Sequence, residues 1–143
     1  MTEIPDAETM KAFNKGIVEE FRANGGVVGG PFEGGTLLLL TSTGAKSGQP
    51  RLAPLAYPTI DGKMFIIGSK AGLDTNPDWV HNLRATPTAH IEVGTDAYDV
   101  TARELPPEER GETWPKVVAL APGFGDYQAN TSRVIPLFEL TRT

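Results

Sequence analysis

The chain has 143 residues with 16 Gly, 12 Pro and no Cys, and carries a formal charge of −5. That length fits one domain with a real core, and the missing cysteines exclude disulfide staples, thiolate metal sites and a cysteine nucleophile. Glycine and proline make up about a fifth of the chain against the usual ~12%, which points to tight connections and short strands, and the acidic balance excludes general nucleic-acid binding.

Residues 6–23 form an amphipathic pattern, with Met10, Phe13, Ile17 and Phe21 at three- and four-residue spacing. Ordinary core packing explains that stripe better than binding to a membrane surface. Asn24–Gly35 is too glycine-rich to continue the helix and reads as a loop. Thr36–Thr43 is a continuous apolar run of strand length, expected at the centre of a sheet. Arg51–Ile60 and Lys63–Ser69 flank Asp61-Gly62, a strong hairpin signal. Asn76-Pro77-Asp78 predicts an N-cap, a proline in the first turn and a helix running to about Ala85. Strands are expected at Thr88–Val93 and Ala97–Leu105, then a helix from Pro106 to Leu120. A short helical turn near Asp126–Asn130 and a closing strand Val134–Leu140 complete the order. About six strands in mostly hairpin order predict a mainly β, α+β fold: a small antiparallel barrel with flanking helices.

The most informative stretch is Thr41–Pro54, TSTGAKSGQPRLAP, in which Lys46 lies between Gly44 and Gly48 and Arg51 opens the next strand. If Asp61-Gly62 is a two-residue loop, Ile60 pairs with Lys63, and extending the register places Ala53 opposite Lys70. Arg51 would then lie diagonally across, roughly 7–8 Å away. No acidic residue occurs between Glu33 and Asp61. Lys46, Arg51 and Lys70 are thus expected to converge, and an anionic ligand is the functional explanation; ordinary solvated charges are the plain one.

A nucleotide-hydrolysing phosphate loop is excluded, because Gly-Ala-Lys-Ser-Gly leads into a proline-bearing strand instead of a helix. His81 and His90 lack carboxylates at ligand spacing, so no metal is expected. No nucleophile elbow occurs. Trp79 is expected in the core, and Phe124 and Tyr127 are candidates for a pocket mouth.

The same stretches carry a resemblance. Thr41–Leu55, Gly68–Gly72, Asn76–Leu83, Thr101–Leu105 and Asp126–Pro136 resemble, in order, the signature of the deazaflavin-dependent nitroreductases of actinobacteria, also described as quinone reductases. The resemblance implies a flavin-reductase-like split β-barrel and coenzyme F420, an anionic deazaflavin with a phosphate and an oligoglutamate tail. It implies that Ala45, Lys46, Ser47, Arg51 and Lys70 face the phosphate and tail, with Leu52, Ala53, Pro54 and Leu55 beside the ring. Ile67, Gly68 and Ser69 would approach the deazaflavin, and Asp78, Trp79, Val80, His81 and Asn82 would close the other side. Phe124 would border both cofactor and substrate, with Ala56 and Tyr127 in the substrate space. Ser69 and Tyr127 are the candidates for a donor that stabilises developing negative charge.

The implied activity is hydride transfer from reduced F420 to a quinone, activated enone or nitro compound, in the cytoplasm, by a monomer or homodimer. Ala45 stands where relatives often carry arginine, and Ala56 and Phe124 where nitroimidazole-reducing members carry tyrosines. Three other readings stay open: an FMN-dependent split-barrel oxidoreductase, a non-enzymatic deazaflavin carrier, and a protein touching the membrane surface through residues 6–23.

Overall fold

The computed structural model describes residues 7–26, with side chains from residue 15, together with 37–69 and 76–143. The elements in chain order are α1 (Ala7–Ala23), β1 (Leu37–Thr43), β2 (Pro50–Ala56), β3 (Thr59–Ile60), β4 (Lys63–Ile67) and α2 (Asp78–Ala85). Then come β5 (Thr88–Val93), β6 (Asp96–Glu104), α3 (Pro107–Leu120), α4 (Gly123–Ala129) and β7 (Leu137–Arg142).

Seven strands form one sheet in the order β2-β1-β5-β6-β7-β4-β3. Every pairing is antiparallel. The sheet curls, so that one face of β1, β4, β5, β6 and β7 encloses a common core. Leu38, Leu40, Ile66, Ile91, Val100 and Phe138 meet there, and α2 plugs the interior with Trp79, Val80 and Leu83. Trp79 meets Phe138 edge-on at 5.7 Å between ring centroids, the arrangement their quadrupoles favour.

The outer face is covered in two places. Ile17, Val18 and Phe21 of α1 pack on Leu37 and Leu39. Val117 of α3 packs with Phe65, Ile67, Leu105 and Leu137, with Trp114 and Phe124 at the edge. This explains why β1 reads as an unbroken apolar run: its alternate residues are buried on opposite faces. The helical stripe of residues 6–23 is used in the same way, against β1. Met10 and Phe13, also on that stripe, lie outside the described side chains.

The Asp61-Gly62 turn forms as its residues demand. Both have positive φ, 54° and 78°, and Ile60 faces Lys63 as expected. The register does not extend backwards, however. Tyr57-Pro58 breaks the expected long strand, leaving β3 with two residues, and β2 pairs with β1 instead. Ala53 therefore lies opposite Leu40, not Lys70, and Arg51 lies opposite Ser42. Lys70 and the rest of 70–75 lie outside the described residues, as do 27–36.

Several boundaries also differ: β4 ends at Ile67, β6 spans Asp96–Glu104 and α3 starts at Pro107. Pro77, not Asn76, occupies the N-cap of α2, with no side-chain cap bond. The turn near Asp126 is a helix starting at Gly123. The closing strand begins at Leu137 because Pro136 precedes it with no N–H to donate, while its carbonyl accepts from Gly68 N at 2.9 Å.

Gly68 ends β4 in a space that admits no side chain. A Cβ there would lie 2.8 Å from both Pro136 Cγ and Val80 Cγ2, a rigid ring and a stiff branched residue. Gly68→Ala is expected to destabilise the protein by about 1–3 kcal/mol, the usual range for overpacking a core. An unchanged midpoint in urea denaturation would show that the 68–69 and 134–136 segments yield instead.

Candidate functional site

β1 loses its apolar character at Thr41, and the chain turns back at the rim of the half-barrel through Gly44–Gln49. That loop is closed by its own hydrogen bonds: Gly44 N to Gln49 O at 2.8 Å and Gly48 N to Gly44 O at 2.9 Å. Gly48 takes φ +70°, a conformation that favours glycine. Gly44 leaves room for the Ser47 hydroxyl, which its Cβ would strike. Ser47 Oγ in turn accepts from Gln49 N at 3.2 Å and from Arg51 Nη2 at 3.4 Å.

Between this loop, the start of β2 and the exposed side of α2 lies a cleft of about 620 Å³. It brings together Ala45, Lys46, Ser47, Arg51, Leu52 and Ala53 on one wall and Asp78, Trp79, His81 and Asn82 on the other. All ten are among the residues the family resemblance singles out. Lys46, Arg51, Asp78 and His81 are exposed, whereas Trp79 is buried.

The charges in this cleft differ from those elsewhere. Arg22 is bonded to Glu92, Arg84 to Glu104, Arg103 to Glu109 and Glu139, and Lys116 to Asp61. Those hydrogen bonds raise all four cations above their ordinary values. Among the described residues no carboxylate lies at ion-pair distance from Lys46 or Arg51, although Asp78 lines the opposite wall. The cleft is thus suited to an anionic ligand that supplies the missing negative charge.

The remaining candidates lie elsewhere. Pro54, Leu55 and Ala56 continue along β2 beyond the cleft, and Leu55 packs against the interior core. Ile67 points outward into the cluster beneath α3, and Val80 is fully buried in the interior. Ser69 is buried at 9% exposure, where β4 ends. Phe124 packs beside the outer cluster and meets Tyr127 edge-on at 6.0 Å. Neither Ser69 nor Tyr127 lines the cleft.

His90 is exposed on β5, and its Nδ1 lies 2.9 Å from Asp99 Oδ1 across the β5–β6 pair. Among the described residues no group of three or more histidine, cysteine, aspartate or glutamate side chains could hold a metal.

Sequence reasoning missed a polar network centred on Arg133. Its guanidinium donates to Gly68 O at 3.0 Å, Ser69 O at 2.7 Å and Asn76 Oδ1 at 2.8 Å. One side chain thereby holds the end of β4 and the approach to α2. Gln128 of α4 donates to Arg133 O at 2.7 Å and accepts from Ile135 N at 3.0 Å and Arg110 Nη2 at 2.8 Å. Arg110 also donates to Ile135 O at 2.9 Å and lies 4.4 Å over the Trp114 ring; burial pulls its guanidinium below the ordinary value. Arg133 lies in the T-x-R-x-I-P stretch, so its type was visible, but its carbonyl partners are set by tertiary structure.

A curled antiparallel half-barrel, with Lys46 and Arg51 exposed at its rim, defines a split-barrel protein. Residues 14–142 match the model of the F420H2-dependent quinone reductase family, and the chain belongs to that family. It is therefore an enzyme, an F420-dependent oxidoreductase of quinone-like electrophiles.

An F420H2-dependent quinone reductase of Mycobacterium tuberculosis is 40% identical over 108 residues, 73% of this chain and 72% of its own. The solved structure of an F420-H2 dependent reductase is 39% identical, with a TM-score of 0.66, covering 74% of this chain and 94% of that one. A solved domain-swapped dimer is 34% identical with a TM-score of 0.68, covering 94% and 98%. No described helix is long and apolar enough to cross a membrane.

Arg133→Met is expected to lower stability by about 2–3 kcal/mol, because it strips charge-assisted donors from partly buried carbonyls. Chemical denaturation measures this directly, and a loss below about 0.5 kcal/mol would show that the network contributes little.

Proposed function

We propose that the cleft beneath the Gly44–Gln49 loop holds the phosphate and acidic tail of F420, and that the ring extends from it along β2. The observation that carries this reading is the pair Lys46 and Arg51, without carboxylate partners among the described residues, on a chain of net charge −5. The donor set fits the cofactor: two cations, the Ser47 hydroxyl and a tight glycine-bounded loop suit a phosphate with carboxylates beyond it. Ala45 in place of the arginine common among relatives leaves this chain one cation fewer there.

Reduced F420 supplies a two-electron hydride equivalent when bound. The protein's contribution is binding, orientation and charge stabilisation. Lys46, Ser47 and Arg51 bind the anionic end. Leu52 and Ala53 on one side and Trp79 and His81 on the other provide the walls that exclude water. Ser69 and Tyr127 are assigned to the substrate end, where a hydroxyl donor stabilises negative charge developing on a carbonyl oxygen. Ala56 and Phe124 offer no hydroxyl, which favours quinones or activated enones over nitroimidazoles. The domain-swapped relative supports self-association, and the burial of Ile17, Val18 and Phe21 on β1 favours core packing over membrane contact for α1.

Titrating the protein's fluorescence with F420, in parallel with FMN, tests the cofactor. F420 is expected to bind at micromolar concentration or below with little binding of FMN; preference for FMN overturns the reading. Lys46→Glu and Arg51→Glu are each expected to weaken F420 binding about tenfold or more at low salt, with a smaller effect at high salt. The loss should grow with the number of glutamates in the tail. Indifference to both salt and tail length would remove the tail from this cleft.

Ser69→Ala and Tyr127→Phe separate orientation from binding. At least one is expected to lower turnover about tenfold or more while F420 affinity holds, as loss of a charge-stabilising donor does. Full turnover in both variants would rule out these two hydroxyls.

A further inference from the structure

A buried primary amide presents two N–H donors and a carbonyl oxygen, and leaving them unmet costs more than the side chain's packing returns. Asn82 is 5% exposed, and its amide nitrogen and its oxygen each find a partner within the protein. Its Nδ2 donates to Ser42 Oγ at 3.1 Å, and its Oδ1 accepts from Ala45 N at 2.9 Å. The Ala45 amide fixes the orientation, since turning the side chain over would set donor against donor. Ser42 is itself 2% exposed. One side chain on α2 thus holds both the last inward residue of β1 and the residue before Lys46.

The loop it holds is internally closed through Gly44, Gly48 and Gln49. Such a unit moves as a piece about its two strand ends. The bond from Ala45 to Asn82 anchors it across the cleft, from one wall to the other.

We infer that Asn82 is a positioning residue: it sets the spacing between the Lys46 loop and α2, and acts on the anionic end of the ligand through Ala45. This rests on the reading of the cleft as the phosphate and tail end of the F420 site. The amide's polar atoms are engaged inside the protein, so its effect on binding passes through the loop. The lysine and Ser47 are then presented in place before the ligand arrives, and less ordering is left to be done on binding.

The test has two readouts on the full chain. The first is amide hydrogen exchange at Ala45, compared with Gly48 in the loop and with Leu40 and Ile91 in the sheet. The second is affinity for F420, compared with that for the deazaflavin–ribitol fragment lacking phosphate and tail. In Asn82→Leu, Ala45 exchange is expected to accelerate about tenfold, F420 to bind about five- to tenfold more weakly, and the fragment to stay within about twofold. The Leu40 and Ile91 amides should not change. In Asn82→Asp the carboxylate still accepts from Ala45 N and the Ser42 hydroxyl turns to donate, so Ala45 protection should return.

Unchanged Ala45 exchange in Asn82→Leu overturns the inference, as does equal acceleration in the sheet or equal loss of F420 and fragment. A loosened Ala45 with undiminished F420 affinity overturns it too. If the unmodified protein binds no F420, the proposed function fails, while the Ala45 comparison still decides whether Asn82 holds the loop.

Discussion

Four consecutive leucines, Leu37–Leu40, cannot be hidden on one side of a strand, and the architecture is arranged around that constraint. Leu38 and Leu40 face the interior shared with α2, while Leu37 and Leu39 lie under α1. Each fully buried leucine contributes roughly 1.5–3 kcal/mol relative to exposure, which makes β1 the strand least free to shift. A one-residue slip would exchange the two faces and send Ser42 outward. The polar rim therefore begins at a fixed point, and the Gly44–Gln49 loop leaves the sheet from there.

The same constraint sets the electrostatics. Exposed ion pairs such as Arg22–Glu92 and Arg84–Glu104 contribute little stability in water. They do neutralise the cations they contain. Lys46 and Arg51 stand on a β-hairpin whose neighbouring sequence, between Glu33 and Asp61, carries no acid. An acidic protein thereby keeps a local positive region, and Asp78 across the cleft limits it on the α2 side. A ligand with several negative charges gains more from such a region than one with a single phosphate.

Local chemistry was legible from sequence where it decides structure. The Asp61-Gly62 turn, the apolar run of β1 and the extents of α1, α2 and α3 follow from patterns within a few residues. Pairing over distance was not. The hairpin arithmetic held for Ile60 and Lys63 and failed beyond them, because Tyr57-Pro58 interrupts the strand and β2 finds β1 instead. The basic cleft survives that error, since the β1–β2 loop alone brings Lys46, Ser47 and Arg51 together. Resemblance places Asn82 and Val80 among the residues that close one side of the site. The amide of Asn82 turns to the loop and Val80 to the core, distinctions that only packing makes.

The two polar networks have a common logic. Arg133 grips Asn76 just before α2, and Asn82 grips Ala45 from within it. The helix is thus tied by side-chain hydrogen bonds at both the Ser69 segment and the Lys46 loop. Neither tie uses Lys46 or Arg51, which form no ion pair among the described residues. On the proposed reading of the cleft, one set of groups holds the walls and another the anion, which keeps binding strength and cleft geometry separable. Substitutions at the rim can then change which anion fits while the helix stays in place.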